Sequence, residues 1–346
     1  MQWLNDAAQA INLEAQTAAS TRQGQLTKPP GSLGQLESLA IKFAGLQGKE
    51  VPTIDKIMIR IFAADHGVVD EGVSAFPQIV TGEMVKNFAA GGAAITVLAR
   101  QLNADFGVIN LGTVNELAPL DSVTDQRITA GTANFCQQSA MSEEQLSQAL
   151  EAGAQSASQA KELGIELFIG GEMGIGNTTS ASALTAGLTD LPVEQLIGRG
   201  TGIDDEGIQR KLKAVQQGLD LHKTSDTTAS ELLAKLGGFE IAGLVGAYIR
   251  CAQLGISVLV DGFISSAAAL VATRINPSIR PWLFFSHCSE EAGHKHLLQT
   301  LEAEPLLSLG MRLGEASGAA VAVPLLQSAC LLHAQMATFD QAGVSQ

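Results

Sequence analysis

Short apolar runs alternate with longer stretches of helical period along most of the chain. Each run holds about five apolar residues and is followed by a turn rich in Gly, Asp or His. Runs that are apolar on both faces are typical of parallel strands, because helices cover such strands on both sides. The runs lie within Lys56–Val68, Phe106–Thr113, Ile165–Thr179, Ile256–Ala269 and Pro281–Gly293, and the helical segments lie within Ser142–Leu163, Asp204–Leu221 and Phe239–Leu254. The alternation predicts an α/β fold with a doubly wound, mainly parallel sheet.

The two ends of the chain show helical patterns without strand signals. Residues 32–47 predict an amphipathic helix with Ser32 as its N-cap, after a "KPPG" segment that stops any earlier helix. Leu313–Met336 predicts a second helix, which we expect to be interrupted at Pro324. We therefore expect a smaller helical domain built from residues 1–50 and 305–346, beside an α/β domain of residues 51–304.

Composition and charge narrow the class of protein. Hydrophobic residues make up 46% of the 346 residues and charged residues 16%, which suits a large buried core rather than a disordered chain. The formal net charge is -14 and the sequence has no cluster of Lys and Arg, so binding to nucleic acid or to an anionic membrane surface is not expected. A small anionic substrate would instead be held by a few positioned cations or backbone N–H groups.

Three further features favour a cytoplasmic protein. The four cysteines are scattered without a CxxC pair, which is typical of a reducing compartment. Met1–Ala10 has neither the basic nor the apolar region of a signal peptide. We expect Asp, Gly or Arg to break every apolar run before 18 residues, so no membrane-spanning helix is predicted.

Unusual polar residues gather in the turns after the predicted strands. These turns contain Asp65-His66-Gly67, Gly170–Asn177, Asp261-Gly262 and Ser286-His287-Cys288. Ligands of open parallel sheets bind beyond the carboxyl ends of the strands, where these turns lie. The sequence therefore predicts the functional site at this edge of the sheet.

The glycine-rich loop "GGEMGIGNTTSAS" (Gly170–Ser182) has two interpretations. Its backbone N–H groups, at the start of a following helix capped by Asn177, Thr178 or Thr179, would bind a phosphate. An ordinary tight turn between a strand and a helix explains the same residues, and the loop has neither the P-loop lysine nor the GxGxxG spacing. Lys211 either reaches that phosphate or lies on the surface.

The histidines favour structural roles over metal binding. For Asp65 and His66, a hydrogen-bonded pair that shapes the turn is a simpler interpretation than a catalytic pair or a metal site. His287 and Cys288 are not part of an HExxH motif or a paired-cysteine motif, so a metal site is not predicted.

Glu315 lies in the small, apolar stretch "LGMRLGEASGAAVAVPLL" (Leu309–Leu326). Gly314 and Ala316 are too small to shield a carboxylate, and Arg312 stands three residues before it. An isolated carboxylate on an apolar wall has a raised pKa, which suits a general base near neutral pH. A charge that complements a helix start explains the residue equally well, so the residues alone leave both functions open.

Five sequence blocks, in the same order, resemble the nicotinate-nucleotide:dimethylbenzimidazole phosphoribosyltransferase family. The blocks are "KPPGSLGQLE" (Lys28–Glu37), "ADHGV" (Ala64–Val68), "GEMGIGNTT" (Gly171–Thr179), "DGFISSAAA" (Asp261–Ala269) and "MRLGEASGAA" (Met311–Ala320), and the resemblance runs from Lys28 to Cys330. It implies that nicotinate mononucleotide and 5,6-dimethylbenzimidazole are converted to α-ribazole 5′-phosphate and nicotinate, a step of cobalamin synthesis. It also implies a Rossmann-like sheet domain, a helical domain from both chain ends and a homodimer.

The same resemblance implies roles for individual residues. Glu315 matches the general base, and Glu172 matches a second carboxylate near the ribosyl group. The substrate-binding residues that it implies are Glu172, Asp261, the phosphate-binding residues Gly174, Ile175, Gly176, Asn177 and Lys211, and Phe76 and Met84 in the segment that binds the aromatic base. It implies no metal and no cofactor, because the leaving group is not a diphosphate, whose charge Mg²⁺ would neutralise.

Two other functions stay open beside this one. One is a phosphoribosyl or glycosyl transferase with a different aromatic acceptor, and the other is a non-catalytic regulator that binds a nucleotide. An isolated Glu315 on an apolar wall favours an enzyme, because a binding module has no use for an unpaired base.

Overall fold

The computed structural model describes residues 1–189, 191–200 and 202–345, which contain a six-stranded, all-parallel sheet with helices on both faces. Its strands are β1 (Ile57–Ala64), β2 (Asp105–Gly112), β3 (Val123–Asp125), β4 (Leu167–Met173), β5 (Ser257–Val260) and β6 (Leu283–Phe285). Its α-helices are α1 (Leu13–Gln25), α2 (Gln35–Gln47), α3 (Ile79–Ala89), α4 (Ala94–Gln101), α5 (Glu143–Glu162), α6 (Asn177–Leu188), α7 (Val193–Leu196), α8 (Asp205–His222), α9 (Ala229–Leu236), α10 (Phe239–Leu254), α11 (Phe263–Ile275), α12 (His294–Thr300), α13 (Ser317–Gln335) and α14 (Phe339–Ala342). Short 3₁₀ helices cover Gln2–Asn5, Gly67–Glu71 and Pro277–Trp282. The predicted α/β fold is confirmed.

The strand order places a crevice at the middle of the sheet. The order is β3-β2-β1-β4-β5-β6, so the chain changes direction across the sheet between β1 and β4. In doubly wound folds, loops diverge at such a switch point and leave room for a ligand beyond the carboxyl ends. The turns that follow β1 and β4 carry Asp65-His66-Gly67 and Glu172–Asn177, two of the predicted site segments.

Two glycines bring different layers close to the centre of the sheet. Gly170 and Gly171 are consecutive in β4, so they face opposite sides. A Cβ at Gly170 would lie 2.5 Å from Cδ2 of Leu244 in α10, and a Cβ at Gly171 would lie 2.9 Å from the backbone nitrogen of Ala316. The missing side chains therefore let α10 approach one face and the segment before α13 approach the other.

The helices from the two chain ends contact each other. Arg22 of α1 donates from Nε to the carbonyl of His333 at 2.8 Å and from Nη2 to that of Ala334 at 2.9 Å, at the end of α13. Phe43 of α2 stacks on Phe284 of β6 with ring centroids 4.4 Å apart, which ties these helices to the sheet edge. The division into two domains near residues 50 and 305 stays a prediction.

The start of α2 differs from the prediction. The helix begins at Gln35 with Gly34 as its N-cap, at a φ of 55°, and not at Ser32. The carboxylate of Glu37 accepts the backbone N–H groups of Gly31 and Leu33, at 3.2 and 3.0 Å. These bonds hold the preceding residues in a turn, which delays the helix by one turn.

Helix α13 differs from the prediction in two respects. It continues through Pro324, although proline has no N–H to donate to the carbonyl of Ala320. Ser317–Gln335 also contains no Asp, Glu, Lys or Arg, so the expectation that every apolar run breaks before 18 residues was wrong. By length and composition this helix is able to cross a membrane, but that is weak evidence, since 56% of the most apolar stretch is buried inside the protein as in a core helix.

Candidate active site

A cavity of about 550 Å³ opens at the carboxyl ends of β4, β5 and β6. Part of its wall is apolar, from Phe76, Val80, Ile175, Phe263 and Leu313. The polar part of its wall includes Glu172, Asn177, Thr178, His287, Arg312 and Glu315. A cavity of this size, with a mostly apolar wall and a few convergent polar groups, is typical of a small-molecule site.

Glu315 stands in a turn with an unusual backbone. Gly314, Glu315 and Ala316 all have positive φ, at 80°, 59° and 63°. A non-glycine residue in this region costs about 1 to 3 kcal/mol, so the surrounding structure has to hold it there. Ser317 contributes, since its Oγ donates to the carbonyl of Gly314 at 2.7 Å.

Glycines on both sides let the Glu315 turn lie against β4. A Cβ on Gly171 would be 2.8 Å from Cβ of Ala316, and a Cβ on Gly314 would be 2.6 Å from Oε1 of Glu172. Both distances are far below normal contact, so a Cβ at either position would force its neighbour to move. The turn therefore brings Glu315 and Glu172 to the same wall of the cavity.

The Glu315 carboxyl has properties that suit a general base. The residue is 7% exposed, and burial together with the charge of Asp261 raises its pKa to about 7. It is not isolated, as the sequence suggested, because Glu172 and Asp261 come from strand ends far away in the chain. A carboxyl with this pKa is half ionised at neutral pH and able to accept a proton.

The pKa of the Glu172 carboxyl is raised as well. Burial, and then the charges of Asp261, Glu240 and Glu315, raise its pKa well above the ordinary value. The Nδ2 of Asn177 donates to its Oε2. Both carboxyls on this wall of the cavity therefore favour the protonated form more than an exposed carboxyl does.

Lys211 is buried rather than a surface lysine. It is 1% exposed, and its Nζ donates to Oγ1 of Thr178 at 2.6 Å and to the carbonyl of Gly198 at 3.4 Å. Burial lowers its pKa to about 8. Thr178 lies in the first turn of α6 and lines the cavity, so a cation, a hydroxyl and a helix N-terminus meet at one point.

Arg312 turns away from Glu315. Its Nη1 lies 3.5 Å from the carbonyl of Gly200, and both residues line the cavity. The guanidinium therefore belongs to the end of the cavity that contains Thr178, where it adds a second cation beside Lys211. Arg312 therefore does not offset the effects of burial and of Asp261, which raise the pKa of Glu315.

Asp65 and His66 hold the turn after β1 in place through their side chains. The Asp65 carboxylate accepts from Oγ1 of Thr81 at 2.6 Å and from the backbone N–H of Val114 at 2.8 Å. His66 instead joins its Nε2 to Oε1 of Glu240 at 2.6 Å. Each side chain thus shapes the turn with a partner from another element, whereas the sequence favoured a bond within the pair.

The predicted site residues fall into two groups. Glu315, Glu172, Gly174, Ile175, Asn177 and Phe76 line the cavity. Gly176, Lys211, Met84 and Asp261 lie next to it: Gly176 precedes α6, and Met84 packs against the core one helical turn after Val80. The Asp261 carboxylate is 1% exposed and faces α13. Substrate contact by any of these residues stays a prediction.

Several residues that line the cavity were not predicted from the sequence to do so. Thr178 was considered only as a helix cap, but Gly176 takes the N-cap position and Thr178 meets Lys211 instead. Arg312 was considered only as a partner of Glu315. Phe263 and Leu313 carried no signal beyond their apolar character, because an apolar residue beside a strand end has the same pattern whether it packs inside or lines a cavity.

Gly171→Ala tests the close approach of the Glu315 turn to β4. The new Cβ would lie 2.5 Å from Cδ1 of Ile61 as well as against Ala316, so the two layers have to separate. We expect the free energy of unfolding to fall by about 1 to 3 kcal/mol, measured by denaturant titration.

Gly24→Ala is the matched control. Gly24 is exposed in α1, and a Cβ there meets nothing within 4 Å. That variant should be equal to the wild type or more stable by about 0.5 to 1 kcal/mol. An equal stability of the Gly171→Ala variant and the wild type would contradict the packing described here.

Comparison with known proteins agrees with this geometry. The family model described as Phosphoribosyltransferase (DBI_PRT) matches residues 8–344. The chain is 57% identical over 343 residues to the nicotinate-nucleotide–dimethylbenzimidazole phosphoribosyltransferase of Pseudomonas putida strain KT2440, covering 99% of this chain and 98% of that protein. It is 56% identical over 345 residues to the enzyme of the same name from Xanthomonas campestris pv. campestris strain B100, covering 100% and 99%.

A solved structure gives the same result for the fold. The crystal structure of CobT from Thermus thermophilus superposes with a TM-score of 0.93 at 43% identity, covering 96% of this chain and 99% of that one. Sequence identity and fold agree over nearly the full length of both chains. The chain therefore belongs to the nicotinate-nucleotide–dimethylbenzimidazole phosphoribosyltransferase family.

Proposed function

We propose that this protein transfers the 5-phosphoribosyl group of nicotinate mononucleotide to 5,6-dimethylbenzimidazole, releasing nicotinate and forming α-ribazole 5′-phosphate for cobalamin biosynthesis. One observation carries the proposal: a carboxyl with a pKa of about 7, Glu315, shares a cavity with a cationic end built from Thr178, Arg312 and the buried Lys211. The transfer needs both features, a base for the acceptor ring and a site for the phosphate.

The cationic end holds the 5′-phosphate of the donor. Lys211 contacts Thr178, which lies in the first turn of α6, and Arg312 contacts Gly200. Phosphates bind at helix N-termini because the exposed N–H groups and the helix dipole favour negative charge. We expect the ribosyl group of a donor held there to lie near Glu172, which lines the same cavity.

The aromatic acceptor lies against the apolar wall. Phe76 and Leu313 are 50% and 57% exposed and line the cavity with Val80, so they offer free apolar surface to a flat dimethylated ring. Burying that surface stabilises binding by about 25 cal/mol per Å² of apolar area. Met84 follows Val80 by one helical turn and completes the proposed base-binding segment.

The chemical step moves one proton and one electron pair. A ring nitrogen of the benzimidazole bonds to the ribosyl carbon, and the bond from that carbon to the nicotinate nitrogen breaks. The electron pair of the broken bond stays on the pyridinium nitrogen and neutralises it, so nicotinate leaves with a neutral ring nitrogen. The other benzimidazole nitrogen becomes acidic and gives its proton to Glu315.

The function is tested by incubating the protein with nicotinate mononucleotide and a panel of benzimidazoles, with nicotinate and the new nucleotide measured by chromatography. Equal amounts of the two products, with 5,6-dimethylbenzimidazole among the best acceptors, are expected. Release only with another aromatic base would favour a transferase of different acceptor specificity. Tight nucleotide binding without nicotinate release from any mixture would favour a regulator.

Activity should persist in EDTA. The leaving group carries no diphosphate, so no charge builds up on it that a divalent cation would neutralise. The measurement is the rate of nicotinate release after dialysis against EDTA, with a mock-dialysed sample as the control. A loss of activity that Mg²⁺ or Zn²⁺ restores would contradict the metal-free chemistry.

The protein is also proposed to act as a cytoplasmic homodimer. Free cysteines at positions 136, 251, 288 and 330 suit a reducing compartment. Exposed apolar side chains such as Leu13 and Leu331, at 69% and 54%, offer surface for a second copy. Light scattering coupled to gel filtration measures the mass, which should be twice that of the chain.

A further inference from the structure

Asp261 bonds to a helix that lies far from it in the chain. It follows β5 directly and is 1% exposed. Its Oδ1 accepts the backbone N–H of Ala319 at 2.8 Å, and the N–H groups of Gly318 and Gly262 also face its carboxylate. Gly318 and Ala319 belong to the first turn of α13, whose N–H groups lack partners within the helix.

Asp261 takes the place of an N-cap side chain for α13. The residue at the N-cap position is Ala316, which has no polar side chain to offer. A carboxylate at the N-terminus of a helix accepts charge-assisted hydrogen bonds and is favoured by the helix dipole. The start of α13 is therefore fixed to the end of β5 rather than by its own sequence.

That anchor lies next to the turn that carries Glu315. Gly314, Glu315 and Ala316 adopt positive φ immediately before the first turn of α13. Such a backbone persists only when its surroundings hold it. The Ala319 bond fixes the end of the turn that enters the helix, while the contact of Ala316 with Gly171 fixes its side.

Several charged groups surround the Glu315 carboxyl. Glu172 at the end of β4, His287 in the turn after β6 and Arg312 in the loop before α13 line the same cavity, and Asp261 after β5 acts on Glu315. Glu240 at the start of α10 acts on Glu172. Burial raises the pKa of Asp261, whereas His287, whose Nδ1 lies 3.9 Å from Oδ1 of Asp261, acts in the opposite direction. Asp261 is the acid whose charge acts on Glu315, and Arg312 points to Gly200.

We propose that Asp261 is a positioning residue, which holds the Glu315 turn by capping α13 from β5 and acts on the Glu315 carboxyl through its negative charge. The inference rests on the proposed function, since it assigns Glu315 the role of base. Both effects come from one carboxylate, which holds the base in place and adds to the effect of burial on its ionisation.

The first test separates the charge from the hydrogen bond. Asp261→Asn keeps an oxygen for the Ala319 N–H and loses the charge, so the pKa of Glu315 should fall. We expect the acid limb of the kcat profile for nicotinate release to move about one pH unit lower. At pH 8, where Glu315 is ionised in both proteins, kcat should stay within about tenfold of the wild type. An acid limb at the wild-type pH overturns the proposal.

The second test removes the hydrogen bond and keeps the charge. Ala319→Pro lacks the N–H that Asp261 accepts, and proline is tolerated in the first turn of a helix. We expect kcat at pH 8 to fall about tenfold or more, with an acid limb close to the wild-type pH. A wild-type kcat in this variant overturns the capping role.

Asp65→Asn is the matched control. Asp65 is also a buried carboxylate at the end of a strand, but its partners are Thr81 and Val114. The acid limb of the kcat profile of Asp65→Asn should stay at the wild-type pH. A shift as large as that of Asp261→Asn would show a general response to the loss of a buried charge, and would overturn the proposal.

A titration that does not depend on turnover also tests variants that are folded but inactive. The ¹³C signal of the Glu315 carboxyl, assigned by its loss in Glu315→Gln, reports the titration directly. A lower midpoint in Asp261→Asn supports the proposal, and an unchanged midpoint overturns it. Failure of the wild-type protein to release nicotinate would overturn the proposed function instead, and this titration would still decide whether Asp261 acts on Glu315.

Discussion

Glu315→Gln should lower kcat for nicotinate release by about 10²- to 10⁴-fold, the usual loss when a general base is removed. The amide keeps the shape of the side chain and still accepts a hydrogen bond from the benzimidazole N–H. It cannot take the proton that this nitrogen loses as the bond to the ribosyl carbon forms. The loss should therefore fall on kcat, with KM for both substrates changed little.

The acceptor gives an internal check on this role. The deficit of Glu315→Gln should shrink with an acceptor base whose N–H loses its proton more easily, because less help from the protein is then required. Glu290→Gln is the control variant, since Glu290 is exposed and lies outside the cavity wall. A Glu315→Gln variant within about threefold of the wild-type kcat would contradict the role and point to Glu172.

The stability of the same variant distinguishes a functional loss from misfolding. The folded pKa of Glu315, about 7, lies above the value in the unfolded chain, so its ionised form destabilises the folded state at pH 8. That cost begins to fall as the pH drops through the folded pKa, and it is gone only below the pKa of the unfolded chain. Glu315→Gln removes the charge, so its Tm at pH 8 should equal or exceed that of the wild type.

The sequence predicted those strands and helices that show a clear local pattern of apolar and polar residues. The run after Lys56 is apolar at nearly every position because helices cover both faces of β1, and that pattern is visible without any partner. Strand β3 was missed, because the three residues Val123–Asp125 are too few to show a period. The start of α2 was misplaced because Glu37, inside the helix, fixes the turn before it.

The site depends on contacts that no local pattern contains. Glu172, Glu240, Asp261 and Glu315 come from the ends of two strands, the start of α10 and the loop before α13. The effects of Asp261, Glu240 and Glu315 on the pKa of Glu172 arise only when the sheet brings these ends together. Glu315 was singled out from its small neighbours, but its acidic surroundings and its anchor on Asp261 were not visible.

Lys211 shows the same limit for the phosphate end of the cavity. In the sequence it is one of two lysines, with Lys213, in an ordinary amphipathic helix. In the structure Lys211 is buried beside Thr178, whereas Lys213 is exposed on the other side of the helix. Only the packing of α8 against α6 distinguishes them, and this difference makes the pair suitable for a controlled test.

Lys211→Ala should raise KM for nicotinate mononucleotide by about 10- to 100-fold, because a hydrogen bond to a charged group contributes about 1.5 to 3 kcal/mol. KM for 5,6-dimethylbenzimidazole should change little, and Lys213→Ala should behave like the wild type. Nicotinate riboside lacks the phosphate, so the wild type and Lys211→Ala should use it equally well. The pKa of about 8 adds a pH test: free Lys211 loses its proton above pH 8, so wild-type KM for the mononucleotide should rise there while that of Lys211→Ala stays flat. An equal loss with the riboside and the mononucleotide would mean that Lys211 supports the fold of the loop and does not hold the phosphate.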